Sequence, residues 1–223
     1  MKRLVILLFF FTSLVARGQS DTYFIMPPLL EWEGGSHDIY LNFSTTSPSS
    51  QVWVYNSDSS LSQNITVTSG NISTIRFQND VAGLLSTYGA RELNWPNSKR
   101  YRDALFIEAS NPVTVTEQIV EPFNQEIITA KGRNALGTEF YVASQTLITT
   151  TVSGTFMGYH GMHYISVVAT EDNTEVSFKA RTGNIFTSGS DSVFFTLNKG
   201  QSWVSTMEDN RQLLGTRIVS NKP

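Results

Sequence analysis

Two clusters of acidic residues offer the first side chains that could do chemistry. Glu31, Glu33 and Asp38 lie around Trp32, and an aromatic ring flanked by carboxylates can bind a sugar. Two carboxylates on different strands can also form a glycosidase pair, in which one is the acid and the other the nucleophile or base. Such acids are equally typical of solvated turns, because Asp bonds readily to nearby backbone. We predict a turn and keep the sugar site as the alternative.

The second cluster consists of Glu171, Asp172 and Glu175, whose carboxylate oxygens could ligate calcium. Around it, the strand-like run VVATEDNTEVSFKA breaks at the acids and resumes with Val176 and Phe178 on one face. This pattern predicts a hairpin with the acids in its turn. Turn chemistry alone explains the acids, so we predict no metal site.

The three histidines do not indicate a metal site either. His160 and His163 are separated by an odd number of positions, which in an extended segment places their side chains on opposite faces. A three-histidine zinc site would also need His37 to converge on both. We predict that zinc is not bound.

Motifs of the common enzyme classes are missing from the sequence. It has no Gly-x-Ser-x-Gly elbow, no Gly-x-Gly-x-x-Gly loop and no phosphate-binding Gly-Lys-Ser/Thr. A cysteine nucleophile is impossible because the chain has no cysteine. We therefore predict a protein that is not an enzyme, with no catalytic residues and no cofactor.

The start of the chain has the pattern of a secretory signal peptide. Lys2 and Arg3 are followed by an apolar run from Leu4 to Phe11 and then by small residues up to Gly18. A membrane anchor would need about 20 apolar residues, and this stretch is interrupted by Arg17. We predict cleavage after Gly18 and a secreted or cell-surface protein.

Charge and cysteine content restrict the class further. Removal of residues 1–18 leaves 13 basic against 19 acidic residues, a net charge of −6. Such a surface does not attract phosphate backbones, which excludes nucleic acid as a partner. An exported chain without cysteine must be held by packing alone, which favours a bacterial envelope or extracellular protein.

Short strands separated by turn residues dominate the rest of the chain and predict an all-β fold of antiparallel strands. Five segments also recur in the same order in the two halves: DTYFIMP and GTEFYVA, IYLNFST and YISVVAT, VWVYN and VSFKA, ITVTSGNISTIRF and VFFTLNKGQSWVSTM, IEASNP and RIVSNKP. The recurrence predicts two tandem β-sandwich-like lobes, residues 19–130 and 131–223, each of ordinary domain size.

The repeat also predicts how the chain continues. Ser110, Asn111 and Pro112 precede a strand-like run at 113–120, and the chain stops after the similar Ser220-Asn221-Lys222-Pro223. A sandwich without its closing strand would expose an unpaired edge. We expect the second lobe to be incomplete and the chain to be a fragment of a longer polypeptide.

The first lobe carries an insertion at residues 79–103. Val81, Leu84, Leu85 and Tyr88 have helical spacing, which predicts one short helix. The loop after this helix carries the predicted ligand-binding residues Trp95, Arg100, Tyr101 and Arg102, of types that are enriched at interface hot spots. The alternative is that the helix closes one end of the sandwich, with Trp95 packed beneath it.

Four segments carry a resemblance to a known family: NALGTEFYVAS, ISVVATEDNTEVSF, FTLNKGQSWV and LLGTRIVSNKP. Through them, residues 100–223 resemble the N-terminal domain of the IgGFc-binding protein family, and the first lobe does so more loosely. The resemblance implies an exported bacterial protein of the Bacteroidetes type that continues beyond Pro223. The matched residues are those of turns and strands, so they do not locate an antibody-binding surface.

Together, these patterns predict a non-enzymatic, exported surface or adhesion-type binding module at the N-terminus of a larger protein. The expected partner is an extracellular protein or a glycan, and we expect no membrane span in this segment. The alternative is a carbohydrate-binding or glycan-active domain that uses carboxylates with an exposed Trp32 or Trp95.

Overall fold

The computed structural model describes residues 19–27, 38–57, 61–77, 98–100, 104–120, 125–143, 162–181, 190–208 and 213–223. In these ranges the chain forms β-strands that pair antiparallel, and one short 3₁₀ helix. The predicted all-β class is confirmed. The insertion at 79–103 is described only at 98–100, so the predicted helix lies outside the described residues.

The strands are numbered along the chain. Residues 19–130 contain β1 (Ser20–Met26), β2 (Asp38–Ser44), β3 (Ser49–Asn56), β4 (Ser62–Thr68), β5 (Ser73–Phe77), β6 (Ser98–Arg100), β7 (Leu105–Val120) and β8 (Gln125–Thr129). After the 3₁₀ helix (Gly132–Ala135) come β9 (Glu139–Tyr141), β10 (Met162–Val168), β11 (Thr174–Lys179), β12 (Ser192–Leu197), β13 (Ser202–Glu208) and β14 (Arg217–Ser220).

Strand β7 belongs to two sheet layers. Its first part pairs with β3 on one edge and β1 on the other, and its second part pairs with β2 and β8. The change takes place at Ser110-Asn111-Pro112. There the Ser50 hydroxyl donates to the Asn111 carbonyl at 2.8 Å, and the Thr45 hydroxyl donates to the Pro112 carbonyl at 2.8 Å. Side chains thus satisfy the backbone carbonyls at the point where β7 stops pairing with β3 and begins to pair with β2.

One apolar core fills the space between these two layers. Alternate residues of the strands point inward, as the period of two in the sequence requires. From one layer come Val52, Val54 and Ile107, and from the other come Leu41 and Phe43, all with no measurable exposure. This arrangement agrees with the predicted sandwich-like lobe.

The C-terminal strands repeat the order of the N-terminal ones. The order β4-β3-β7-β1 in the first half corresponds to β12-β11-β14-β9 in the second, and the pair β2-β5 corresponds to β10-β13. The turns that lead from β4 to β5 and from β12 to β13 both place a glycine in the left-handed region, Gly70 at φ +81° and Gly200 at φ +77°. These pairings follow the order of the five recurring sequence segments.

The predicted hairpin around residues 171–173 is wrong. Strand β10 pairs with β13, whereas β11 pairs with β12 and β14, so the turn leads from one sheet to another. Alternation in two successive strands does not specify that they pair with each other, because their inner faces can also oppose one another across a core. Asn173, at φ 55°, supplies the left-handed residue of this turn.

A second apolar core lies in the C-terminal half and is built from Ile165, Val176, Phe178, Leu197 and Ile218 among others. The first cluster consists of residues before the predicted boundary at 130/131 and the second of residues after it, and the boundary itself stays a prediction. The 3₁₀ helix is fixed to the first half, because the backbone N–H of Arg133 donates to Asp21 at 2.7 Å and its guanidinium pairs with the same carboxylate.

The two halves also touch through the turn at Gly200. The Lys199 ammonium lies 5.8 Å from the centre of the Phe106 ring. A Cβ added at Gly200 would lie 2.6 Å from Cβ of Ser57 and 3.2 Å from the Phe106 ring, whereas one added at Gly70 would meet no atom within 4 Å. The two equivalent glycines therefore differ only in what surrounds them.

Substitution of each of these two glycines by alanine tests the contact between the halves. Gly70→Ala should lower the free energy of unfolding by about 1 kcal/mol, the cost of a side chain in the left-handed region. Gly200→Ala should lower it by about 2 to 4 kcal/mol, because Ser57 or Phe106 must also move. Urea unfolding of both variants measures the losses, and equal losses would contradict the contact between the halves.

Candidate functional site

The residues predicted to bind a ligand are only partly described. Trp95, Tyr101 and Arg102 lie outside the described residues, and of Arg100 the structure gives the backbone, in β6 opposite Ser202 of β13. The end of the first-half insertion thus adds a strand to a sheet of the second half. The ligand-binding role of these four side chains stays a prediction.

The first acidic cluster is also mostly outside the described residues, which include neither Trp32, Glu31 nor Glu33. Asp38 begins β2 and accepts hydrogen bonds from Arg76 at 2.7 Å and from the Tyr40 hydroxyl at 3.2 Å. Its carboxylate therefore has a structural role in the cross-strand pairing of β2 and β5.

The second acidic cluster forms a turn. Asp172 accepts a hydrogen bond from the backbone N–H of Lys199 at 3.0 Å, and the Thr174 hydroxyl donates to the carbonyl of Glu171 at 2.8 Å. Among the described residues, no group of three His, Asp or Glu side chains could hold a metal ion. His37 and His160 lie outside those residues, and only the backbone of His163 is described, in β10.

A groove lies instead on the outer face of the sheet β12-β11-β14-β9. It has a volume of about 520 Å³, and its lining includes Glu175, Ser177, Phe194, Thr196, Val219 and Asn221. Ser177 of β11 lies directly opposite Phe194 on one side and Val219 on the other. We call this surface the Phe194 groove.

The position of Phe194 follows from three consecutive apolar residues in β12. Phe195 points inward, where it stacks on Trp203 with ring centres 4.2 Å apart and meets Phe178 edge to face at 5.2 Å. Val193 packs inward beside it, so Phe194 must point outward, and it is 77% exposed. The uninterrupted apolar run at 193–195 is the sequence signal for this residue, which is not among the predicted binding residues.

Charged side chains surround the groove in pairs. Arg217 donates to Glu139 at 2.7 Å, and this hydrogen bond holds the pKa of Glu139 below its usual value. Lys179 pairs with Asp191. Glu175 differs from these, because no described side chain bonds its exposed carboxylate. The backbone N–H of Glu175 donates to the Asn221 side chain at 2.8 Å, and this bond joins β11 to the residue that follows β14.

Glu117 is the one buried carboxylate among the described residues. It is 3% exposed and lies on the inner side of β7, opposite Leu41 of β2 and Ile128 of β8. Burial among apolar neighbours raises its pKa to about 7.

Comparison with known proteins relates the C-terminal half to a family. Residues 130–223 match the family model described as "IgGFc binding protein". No curated protein matches the chain. The matched range begins directly after β8 and contains the whole Phe194 groove. In the described part of the chain, no helix is long and apolar enough to cross a membrane.

The buried position of Glu117 predicts a pH dependence of stability. Because its pKa is higher in the folded than in the unfolded chain, its contribution is most favourable below pH 4.5 and is lost as the pH rises through about 7. Glu117→Gln should raise the free energy of unfolding at pH 8 by on the order of 3 kcal/mol and flatten its decline between these values.

Urea unfolding at several pH values measures this effect. Glu171→Gln, at an exposed turn position, is the control and should keep the decline of the wild type. A Glu117→Gln variant with the same decline as the wild type would contradict the assignment.

Proposed function

We propose that the chain is an exported, non-enzymatic binding module of the surface or adhesion type, and that it docks a protein partner on the Phe194 groove. The family description supports a binding role, and the groove lies within the matched residues. The basic start and apolar run of residues 1–18 support export with cleavage after Gly18. The absence of cysteine supports a bacterial surface or extracellular location.

The exposure of Phe194 is the observation that carries this proposal. A phenylalanine ring that is 77% exposed on the outer face of a sheet keeps a large apolar surface in water. Aromatic residues are enriched at protein interfaces, where partner side chains cover them. A partner side chain that covers the ring would remove this surface from water.

The charge at one end of the groove indicates the chemistry of the partner. Glu175 presents a carboxylate with no bonded side chain among the described residues, and the mature chain has a net charge of −6. Electrostatic complementarity favours a partner with an apolar side chain for Phe194 and a basic one for Glu175. The binding surface would therefore be mixed, with an apolar centre and an acidic end.

The test compares two equally exposed apolar residues. Phe194→Ser removes the ring from the groove, whereas Ile72→Ser changes a residue that is 73% exposed in the turn after β4. Purified mature chain is screened against a defined panel of purified extracellular proteins that includes immunoglobulin Fc, and affinities are measured by calorimetry. We expect Phe194→Ser to weaken binding more than tenfold, as loss of a hot spot does, and Ile72→Ser to have less than a twofold effect.

Two outcomes would contradict the proposal. One is a panel in which no protein binds the wild type, and the other is binding that survives Phe194→Ser unchanged. Measured turnover of any substrate by the wild-type chain would refute the non-enzymatic role.

A further inference from the structure

A row of four side chains crosses the outer face of the first-half sheet β4-β3-β7-β1. Trp53 of β3 lies directly opposite Asn64 of β4 on one side and Glu108 of β7 on the other, and Tyr23 of β1 lies opposite Glu108. Residues directly opposite in antiparallel strands have Cβ atoms about 4.5 to 5.5 Å apart. We call these four residues the Trp53 row.

The row is open to solvent and rests on a rigid strand. Trp53 is 43% exposed, and Asn64 and Glu108 are exposed on either side of it. Its neighbours along β3, Val52 and Val54, are fully buried in the core. The indole ring therefore lies on the surface of a strand that the core holds in place.

Hydrogen bonds hold the polar groups of the row in position. The Tyr55 hydroxyl donates to Oε1 of Glu108 at 2.6 Å, so Oε2 is the oxygen that remains to accept from a ligand. At the other end, the guanidinium of Arg133 lies 5.3 Å from the centre of the Tyr23 ring and is held by Asp21. Two aromatic rings with a fixed carboxylate between them therefore form a platform that exists before any ligand arrives.

This combination suits a sugar. The C–H face of a sugar ring packs on an indole ring, and its hydroxyl groups donate to a carboxylate and accept from an amide. Glu108 and Asn64 provide these two kinds of group on opposite sides of Trp53. The negative charge of Glu108 beside the ring disfavours uronic or sulfated sugars by like-charge repulsion. This repulsion therefore favours an uncharged glycan over an acidic one.

We propose that the Trp53 row is a binding site for a neutral polysaccharide, with Trp53 as the stacking ring and Glu108 and Asn64 as hydroxyl partners. The alternative predicted from the sequence places a sugar on Trp32 or Trp95, which lie outside the described residues, and Trp53 is a further tryptophan on an exposed sheet face. The site is in the half of the chain that the family model does not match, and it shares no residue with the Phe194 groove.

Affinity electrophoresis of the mature chain tests this site directly. Native gels contain one soluble polysaccharide each, from a neutral set of β-glucan, mannan, xylan and galactan, with alginate as the acidic comparison. We expect at least one neutral polysaccharide to retard the wild type and Trp53→Ala to weaken that binding more than tenfold. Ile72→Ala, a change of an exposed apolar residue outside the row, should bind like the wild type.

Further variants guard against a folding defect in Trp53→Ala. Trp53→Tyr keeps a stacking ring and should retain much of the binding, and Asn64→Ala should lose a few-fold while its thermal unfolding is unchanged. The site is overturned if no neutral polysaccharide binds the wild type, if alginate is the polysaccharide that binds, or if Trp53→Ala folds and binds normally. It is also overturned if Trp53→Ala abolishes binding of a protein from the panel and of no glycan.

Discussion

One strand, β7, has to serve two sheet layers, and the rest of the first half depends on how it does so. At Ser110-Asn111-Pro112 the backbone leaves the ladder with β3 and enters the ladder with β2. Pro112 has no N–H to donate at this point, and the side chains of Ser50, Thr45 and Asn111 complete the hydrogen bonding. The inner faces of both layers can then share one core.

In the C-terminal half, β14 takes the position of the first part of β7, between β11 and β9. Asn221, just after β14, bonds to Glu175 of β11 through both its side chain and its backbone, as Asn111 bonds to Ser49 and Ser50 of β3. The inner faces of the two halves are both apolar, but their outer faces differ. The first presents an aromatic and polar row at Trp53, and the second a groove in which Phe194 lies among polar side chains, so one framework presents two different outer surfaces.

Local patterns in the sequence were sufficient for part of this fold. The alternation in VWVYN predicts buried Val52 and Val54, and the recurring segments correspond to strands in the same order. Local patterns did not predict which strands pair, as the wrong hairpin between β10 and β11 shows. Strand pairing depends on a core that assembles from residues far apart in the sequence. The sequence predicts ligand binding in an aromatic loop that lies largely outside the described residues, whereas the residues of the two proposed sites, Trp53 and Phe194, lie on sheet faces. Alternation alone could have placed Trp53 there, since it lies between two inward-facing valines.

Native-state amide hydrogen exchange tests most directly whether β7 joins the two layers into one cooperative unit. If β7 joins the layers, the amides of Val54 and Ile107 in one layer and of Leu41 and Val115 in the other exchange through the same global unfolding, with equal free energies and equal denaturant dependence. Two sets of amides whose opening free energies differ by more than about 1 kcal/mol would show that the layers unfold separately and would contradict a single cooperative unit.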